Sequence, residues 1–310
     1  MSGRRERQRG VALLTAMLVV ALATTAAVAM VSRQQYDIRR TGNLLQAEQA
    51  WLYALGIDDW AGQILRRDRE DNGVDHAGEE WATILPPIPI DGGQLAGGIA
   101  ESQGCFNLND LVRDGAAEPG ALERFRRLLA ALELDPVLAT VAADWLDADI
   151  DPAFPGGAED ESYLKGERPY RTANAPFVSV SELRLLQGVD EESFAALAPH
   201  VCALPSAEPI NVNTATAPVL MSLVEGLTEA EAEALIEGRG EEGYADIGTF
   251  LQADSLAGRT IPDGLVGVQS SYFVVTSQVL FGRISVSYQS LIRRSATGET
   301  RVLMRAQGTL

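Results

Sequence analysis

The segment of this sequence with the most evident chemistry is a run of carboxylates. Between positions 144 and 161 it has seven acidic residues and no basic one: Asp144, Asp147, Asp149, Asp151, Glu159, Asp160 and Glu161. Crowded carboxylates repel one another unless a cation or solvent screens them. Hard oxygen ligands suit Ca²⁺, which takes six to eight oxygens. The segment predicts a cation site, with a solvated acidic loop or a glycosidase-like pair of catalytic carboxylates as alternatives.

The predicted site does not follow the EF-hand pattern. DADID at 147–151 resembles the opening of an EF-hand loop, but Pro152 stands where Gly is needed and Ala158 occupies the twelfth position. We therefore predict a calcium site of another type, which locks a loop of little apolar content. Its ligands are drawn from the side chains of Asp147, Asp149, Glu159, Asp160 and Asn174, together with backbone carbonyls of residues 174–181. Asp151 is a weaker candidate.

Signatures of catalysis are missing from the rest of the sequence. There is no GxSxG, HExxH or P-loop, no GxGxxG in a strand-turn-helix context, and His76 and His200 are isolated. We expect no enzymatic activity. The 310 residues are 46% hydrophobic and 22% charged, which excludes a disordered chain. The net charge of −18 makes nucleic acid a poor partner.

The N-terminus contains an apolar segment long enough to span a membrane, and the rest of the chain follows it. After MSGRRERQRG comes an uncharged run of 21 residues at 11–31, long enough to span roughly 30 Å as a helix. The preceding arginines predict a cytoplasmic N-terminus. Three hypotheses compete: a simple anchor, a secretory signal cleaved at the A-x-A of residues 27–29, and a prepilin-type signal cleaved between Gly10 and Val11 with the run retained.

The chain beyond the apolar run favours retention. No Pro occurs between positions 33 and 67, and apolar residues recur there near helical spacing. We predict a loop at residues 68–98 and a short strand at 99–106. From 107 to about 262 the pattern predicts a set of helices, which includes 120–134, 136–148 and 180–198. Alternating residues then predict three antiparallel strands at 272–280, 283–292 and 299–306, with turns at 281–282 and 296–298. The predicted fold class is α+β.

Several motifs together resemble the minor pseudopilin K family of bacterial type II secretion systems. They are GVALLTAMLVVALAT at the N-terminus, Asp75-His76 followed by Glu79-Glu80-Trp81-Ala82, and the segments at 103–112, 143–152, 157–164, 169–189 and 209–220. The resemblance covers nearly the whole chain. It implies a pilin-like long helix and antiparallel sheet with a large inserted helical domain that binds calcium.

The resemblance also implies a domain organisation. Residues 1–10 are the leader, 11–32 the anchor helix, 33–67 its periplasmic continuation, and 68–106 a pilin-like loop and first strand. The inserted domain is 107–264, with the calcium loop at 144–182 and a hairpin element at 210–251, and 265–310 form the final strands. The implied location is the inner membrane, single-pass, with the C-terminal domain in the periplasm.

The implied function is assembly of a pseudopilus tip. The implied partners are the minor pseudopilins I and J, with H as a further candidate, the prepilin peptidase and the inner-membrane assembly platform. Most pilins carry Glu at the fifth mature position, where it neutralises the N-terminal ammonium of a neighbour in the apolar bundle. Here that position is Thr15. A subunit without the Glu fits the outermost position; the alternative is a tolerated polar residue in an ordinary anchor.

Residues 210–251 resemble a helix-hairpin-helix, the DNA-binding element in which backbone N–H groups of a glycine hairpin meet a phosphate. A membrane-anchored DNA-binding module is therefore the alternative function. The segment has eight acidic residues against Arg239 alone, and its hairpin, 225–228, lacks the second Gly. We interpret it as a packing module and expect no nucleic-acid partner.

Cys105 and Cys202 are the only cysteines and neither belongs to a CxxC. Behind a membrane anchor both would face an oxidising compartment, which favours one disulfide. Two buried free thiols are the alternative.

Overall fold

The structure is a computed structural model that describes residues 3–84, 86–166, 168–281 and 284–308. Contacts divide the chain into two units, Met1–Tyr53 and Ala54–Leu310. The described residues of the first unit are all helical, and helix α1 runs in the chain from Gly3 to Asp71.

The apolar run lies in the first unit. Among the described residues, this is the one helix long and apolar enough to cross a membrane, and none of the apolar window is buried. Val11, Leu14 and Met17 are all more than 60% exposed. An apolar helix without protein around it is suited to a lipid environment, as the sequence predicts.

The second unit contains a five-stranded antiparallel sheet in the order β1-β2-β9-β10-β11. The strands of this sheet are β1 Ile88–Ile90, β2 Gly93–Glu101, β9 Tyr272–Phe281, β10 Ile284–Arg294 and β11 Thr300–Gln307. The last turns of α1 pack on one face. Residues Ile57, Ala61, Ile64 and Leu65 recur at helical spacing and meet Ile99, Phe273, Val275 and Ile292 in a buried cluster.

The segment between β2 and β9 forms an inserted domain, which carries most of the remaining elements. Its helices are α2 Pro119–Ala131, α3 Leu138–Leu146, α4 Asp160–Tyr163, α5 Glu191–Leu197, α6 Ala217–Leu223, α7 Glu229–Gly238 and α8 Ile247–Leu251. Short 3-10 helices lie at Leu108–Leu111, Val180–Leu185, Ala198–His200 and Asp254–Leu256, and another precedes the sheet at Glu80–Ala82. One hydrophobic core joins these helices, with Phe106 stacked on Phe125 at 5.0 Å.

Three two-stranded pairs close the inserted domain. They are β3 Phe106–Asn107 with β6 Val201–Cys202, β4 Val112–Arg113 with β5 Ala116–Ala117, and β7 Ile210–Asn211 with β8 Val266–Gly267. The disulfide Cys105–Cys202 joins the first pair across 97 positions of sequence. The single-disulfide prediction is confirmed, and the free-thiol alternative is not found.

Polar side chains link the inserted domain to the sheet at the two points where the chain enters and leaves the domain, after β2 and before β9. Glu101, at the end of β2, accepts hydrogen bonds from Thr214 Oγ1 at 2.6 Å and Ser270 Oγ at 2.7 Å. Asn211 donates to Ser270 Oγ and to the Asp75 carbonyl. The PINVNTA segment at 209–215 therefore connects the inserted domain to the end of the sheet through side-chain hydrogen bonds.

The α+β fold agrees with the sequence prediction, and two local details differ. Residues 68–98 were expected to be loop with a strand from 99 to 106, but the β1–β2 hairpin occupies 88–101. The helix expected at 180–198 is two short helices, because Gly188 takes a φ of +86° between them. The three C-terminal strands lie within two residues of their predicted bounds; Gly282 and Arg283, predicted as turn and strand start, lie outside the described residues.

Candidate metal centre

Three of the predicted ligands converge at the C-terminal end of α3. Asp147, Asp149 and Glu159 each contribute one carboxylate oxygen, and these oxygens lie within 4.8 Å of one another. Two ligands on opposite sides of a calcium ion, each about 2.4 Å away, stand about 4.8 Å apart. The spacing of the three oxygens therefore matches a shared cation.

Four oxygens at this place are buried without a hydrogen-bond partner. They are Asp144 Oδ1, Asp147 Oδ1, Glu159 Oε1 and Asn174 Oδ1. Burying a polar oxygen without a partner costs free energy, and buried charges are normally paired or bound to metal. An oxygen-seeking cation would satisfy oxygens of this kind, and a set of carboxylate and amide oxygens fits Ca²⁺.

Asp144 adjoins this group, near enough for charge repulsion with Asp147 and Asp149, although the sequence prediction left it out of the ligand set. It is fully buried, and its Oδ2 accepts a hydrogen bond from Ala153 N at 3.1 Å while Oδ1 is free of protein donors. The available signal was its place in α3, whose other residues include Leu138, Val141 and Leu146 and are all buried. A carboxylate on such a helix requires a partner.

Electrostatics at the group favour a cation. Burial, with repulsion from Asp147 and Asp149, raises the pKa of Asp144 to about 6. Burial also raises the pKa of Asp147 and of Glu159, and neighbouring carboxylates add to both shifts. A divalent ion among these oxygens would reverse the shifts, since an adjacent positive charge favours the ionised form.

Residues 172–174 hold the group together from a second segment. Thr172 Oγ1 donates to Glu159 Oε2 at 2.9 Å, and Asn174 Nδ2 donates to the Asp149 carbonyl at 2.8 Å. Asn174 adopts a left-handed φ of +44°. Its amide nitrogen is thus committed to the backbone, which leaves its oxygen for a ligand.

Asp160 and Asp151 lie outside the group, in contrast to the other predicted ligands. Asp160 Oδ2 pairs with Arg171 Nη1 at 2.9 Å, and Oδ1 accepts from Thr172 N and Oγ1. Because both oxygens already have donors, Asp160 ties the two loop segments together and is not positioned as a direct ligand. Asp151 is exposed, and its backbone N donates to Asp149 Oδ1.

An aromatic cluster lies next to the group. The Trp145 ring meets Tyr163 edge-on at 5.6 Å and stacks with Phe177 at 6.5 Å, and Tyr170 is 6.4 Å away. The indole follows Asp144 directly in the chain. It therefore stands close enough to report on a luminescent ion bound by the carboxylates.

A second acidic group, Asp68, Asp75 and Glu79, already has hydrogen-bond and ion-pair partners in the protein. Arg294 Nη2 bonds Asp75 Oδ2 at 2.6 Å, and Nη1 bonds Asp68 Oδ2 at 2.6 Å. Glu79 accepts from Asn72, from the His76 backbone and from Trp81 Nε1. The 75–82 motif is thus explained by a buried ion-pair network that anchors the end of α1 to β10.

The hairpin element at 210–251 presents acidic residues and packs through its apolar ones. Leu220, Leu223, Leu227 and Leu235 are buried, in agreement with a packing module, while Gly226 turns the hairpin with a φ of +72°. Arg239 is half-buried, and its guanidinium donates to the Ala215 carbonyl. The single base of the segment is therefore directed inward, and this geometry favours the packing interpretation over phosphate binding.

A long helix with an exposed apolar first part, followed by an antiparallel sheet on which its end packs, defines a pilin-like fold and is consistent with membrane anchoring. Two segments, 104–206 and 210–275, match the family described as type II secretion system (T2SS), protein K. The chain belongs to this family, and its role is that of a minor pseudopilin in type II secretion.

Individual relatives cover the chain almost end to end. The type II secretion system protein K of Pseudomonas aeruginosa is 41% identical over 98% of this chain and 94% of the relative. The one from Pectobacterium carotovorum is 36% identical over 98% of both chains. A crystal structure of the GspK-GspI-GspJ complex from enterotoxigenic Escherichia coli contains a chain with a TM-score of 0.77 and 28% identity, which covers 87% of this chain and all of that chain. These relatives are named as components of the type II secretion system. Their names, together with the N-terminal apolar helix of this chain, are consistent with anchoring in the inner membrane.

Proposed function

We propose that this chain is the tip subunit of the type II secretion pseudopilus. The observation that carries the proposal is Thr15, the fifth residue after Gly10. Its hydroxyl donates to the Ala12 carbonyl at 3.0 Å within the helix. It offers no carboxylate to the N-terminal ammonium of a subunit above it, and an uncompensated charge in an apolar bundle is costly. Subunits can therefore join from below only.

The partners follow from this position. The related crystal structure is that of a GspK-GspI-GspJ complex, which supports the I and J counterparts as direct neighbours. H is a further candidate. The prepilin peptidase would cut between Gly10 and Val11, and the inner-membrane platform would take up the mature chain. The arginines before the apolar run support a cytoplasmic N-terminus and a periplasmic second unit. The role is structural, without catalysis and without nucleic acid.

The experiment on the tip position uses co-expression with the I and J counterparts. Native mass spectrometry should give a 1:1:1 complex, and Thr15→Val should leave it unchanged because the hydroxyl is satisfied inside its own helix. Thr15→Glu should permit additional subunits to join. Loss of the complex in Thr15→Val, or a wild-type chain with neighbours on both sides, would overturn the proposal.

We further propose that the candidate metal centre binds Ca²⁺ as a structural ion. The ligands are the side-chain oxygens of Asp147, Asp149, Glu159 and Asn174, with Asp144 added to the predicted set. The ion would neutralise clustered carboxylates and lock the loop between Asp147 and Asp160, whereas the flanking Trp145, Tyr163 and Phe177 are held in the apolar core. Removal of the ion is expected to loosen this loop before the core of the inserted domain.

The calcium proposal is tested on the full mature protein in detergent micelles. Ca²⁺ at about 100 times its Kd should raise Tm by roughly 5–10 °C over the EDTA-treated protein. Tb³⁺ should give luminescence sensitised by Trp145, which Ca²⁺ displaces. Trp145→Phe should remove the luminescence and keep the calcium-dependent rise in Tm. Equal Tm values in Ca²⁺ and EDTA would reject the site.

A further inference from the structure

The first unit carries a charged segment directly beyond the apolar run. Arg33, Arg39 and Arg40 surround Tyr36 and Asp37, and all five side chains are exposed. Tyr36 is 76% exposed. The three arginines against one aspartate leave a net charge of +2. None of the three appears in an ion pair within the described part of the chain.

The helix places these side chains on a common sector. At 100° per residue, Arg33, Tyr36 and Arg40 fall within about 60° of one another, and Arg39 lies about 100° from Arg40. Tyrosine and arginine are the side chains that prefer the membrane-water interface, because each combines an apolar body with a polar tip. The sector therefore has the composition of an interfacial anchor.

The distance along α1 fits the headgroup layer. Counted from Val31 at 1.5 Å per residue, Arg33 lies about 3 Å, Tyr36 about 8 Å and Arg40 about 14 Å beyond the apolar run. Headgroups occupy about 5–8 Å on each side of the hydrocarbon core, and an arginine side chain reaches several ångströms back toward it. All three arginines can reach phosphate groups on that side of the bilayer.

We propose that Arg33, Tyr36, Arg39 and Arg40 form a collar that binds anionic phospholipid headgroups at the periplasmic face of the membrane. This inference rests on the proposed retention and orientation of the anchor helix. Guanidinium groups pair with phosphate oxygens through parallel hydrogen bonds, and the net charge of the collar selects anionic over zwitterionic lipid. The collar holds the subunit at a fixed depth until it is extracted into the fibre.

The test places a fluorophore within the collar. Full mature protein with Tyr36→Trp is reconstituted in phosphatidylcholine-phosphatidylglycerol vesicles in which one lipid, in turn, is brominated, and emission is compared with the parent chain. Quenching by the brominated anionic lipid should indicate about two- to fivefold local enrichment. The enrichment should fall toward unity at 0.5 M salt, because salt screens exposed charges.

Matched variants separate the collar from general charge. Arg33→Gln with Arg40→Gln leaves Arg39 against Asp37, so residues 33–40 have zero net charge and the enrichment should be abolished. Arg66→Gln with Arg67→Gln, further along α1, should keep it. Equal quenching by both brominated lipids in the unsubstituted collar would overturn the inference and point to a protein partner for these arginines. Absence of quenching by either lipid would instead reject the proposed membrane anchor.

Discussion

At the scale of single residues, the candidate metal centre is defined by oxygens that lack partners. Asp144, Asp147, Glu159 and Asn174 each have one, and Asp147 and Glu159 share with Asp149 a cluster of carboxylate oxygens within 4.8 Å of one another. The sequence predicted three of these side chains, because carboxylate density is visible without a fold. It could not separate Asp144 from Asp160, since that depends on which oxygens already accept hydrogen bonds from Arg171 and Thr172.

We therefore expect Asp147→Asn and Asp160→Asn to lower the calcium affinity by different amounts. Asp147→Asn should weaken binding on the order of 100-fold, because a charged ligand is lost. Asp160→Asn should weaken it by no more than about tenfold, since Asp160 only supports the loop. Competition of Ca²⁺ with Tb³⁺ measures both, and Asp151→Asn is the control that should leave affinity unchanged. Equal effects at Asp147 and Asp160 would contradict the assignment.

Arg294 is the residue that carries the buried ion-pair network. Its side chain is 2% exposed and bonds both Asp68 and Asp75. Arg294→Met should destabilise the protein by about 3–5 kcal/mol, because two buried carboxylates lose their counter-charge. Arg293→Met is the matched control: Arg293 is exposed and lies 3.7 Å from Glu208, a pair worth about 0–1 kcal/mol. The melting temperatures of the two variants in micelles should differ by several degrees.

At the scale of elements, strands were predicted correctly where apolar and polar residues alternate visibly in the sequence. In the strand 272–281 buried residues alternate with less buried ones from position 273, and in the strand 300–307 half-buried residues alternate with exposed ones. In the strand 284–294 the alternation holds at 286, 288 and 290 and ends at the bulge between 291 and 292. The sequences display this alternation directly. The β1–β2 hairpin was missed because Gly and Pro dominate residues 86–98 and obscure the alternation. The acidic loop of the candidate metal centre was visible as a run of carboxylates, but its closure depends on a close approach of backbone and side chain that no sequence pattern encodes.

Gly157 makes that close contact. A Cβ there would stand 2.1 Å from Asp144 Oδ2 and 2.5 Å from the Ala153 carbonyl. Gly157→Ala should displace Asp144 and abolish the calcium-dependent rise in Tm. Gly226→Ala is the comparison, since Gly226 has open space around it and only a left-handed φ to oppose the change. It should cost about 1–2 kcal/mol and retain the calcium response. A calcium response preserved in Gly157→Ala would place the ion elsewhere.

At the scale of the whole molecule, charge and apolarity are segregated along the chain. Residues 102–271 hold 29 acidic and 10 basic residues, so the inserted domain alone accounts for the strong negative charge. The uncharged run at 11–31 is confined to the N-terminal helix. Both features were visible in the sequence, and together they specify an anchor and a solvated domain. The hydrogen bonds of Glu101 and Asn211 that join the inserted domain to the sheet were not predictable from the sequence, because they link side chains far apart in the chain.

The tip position, the partners and the collar all require that the apolar helix is retained in the mature subunit. The direct measurement is the N-terminal residue of protein extracted from membranes, by mass spectrometry. We predict a chain that begins at Val11 after cleavage at Gly10. A chain that begins at Met30, after the A-x-A of residues 27–29, would mean a cleaved signal peptide and would contradict it.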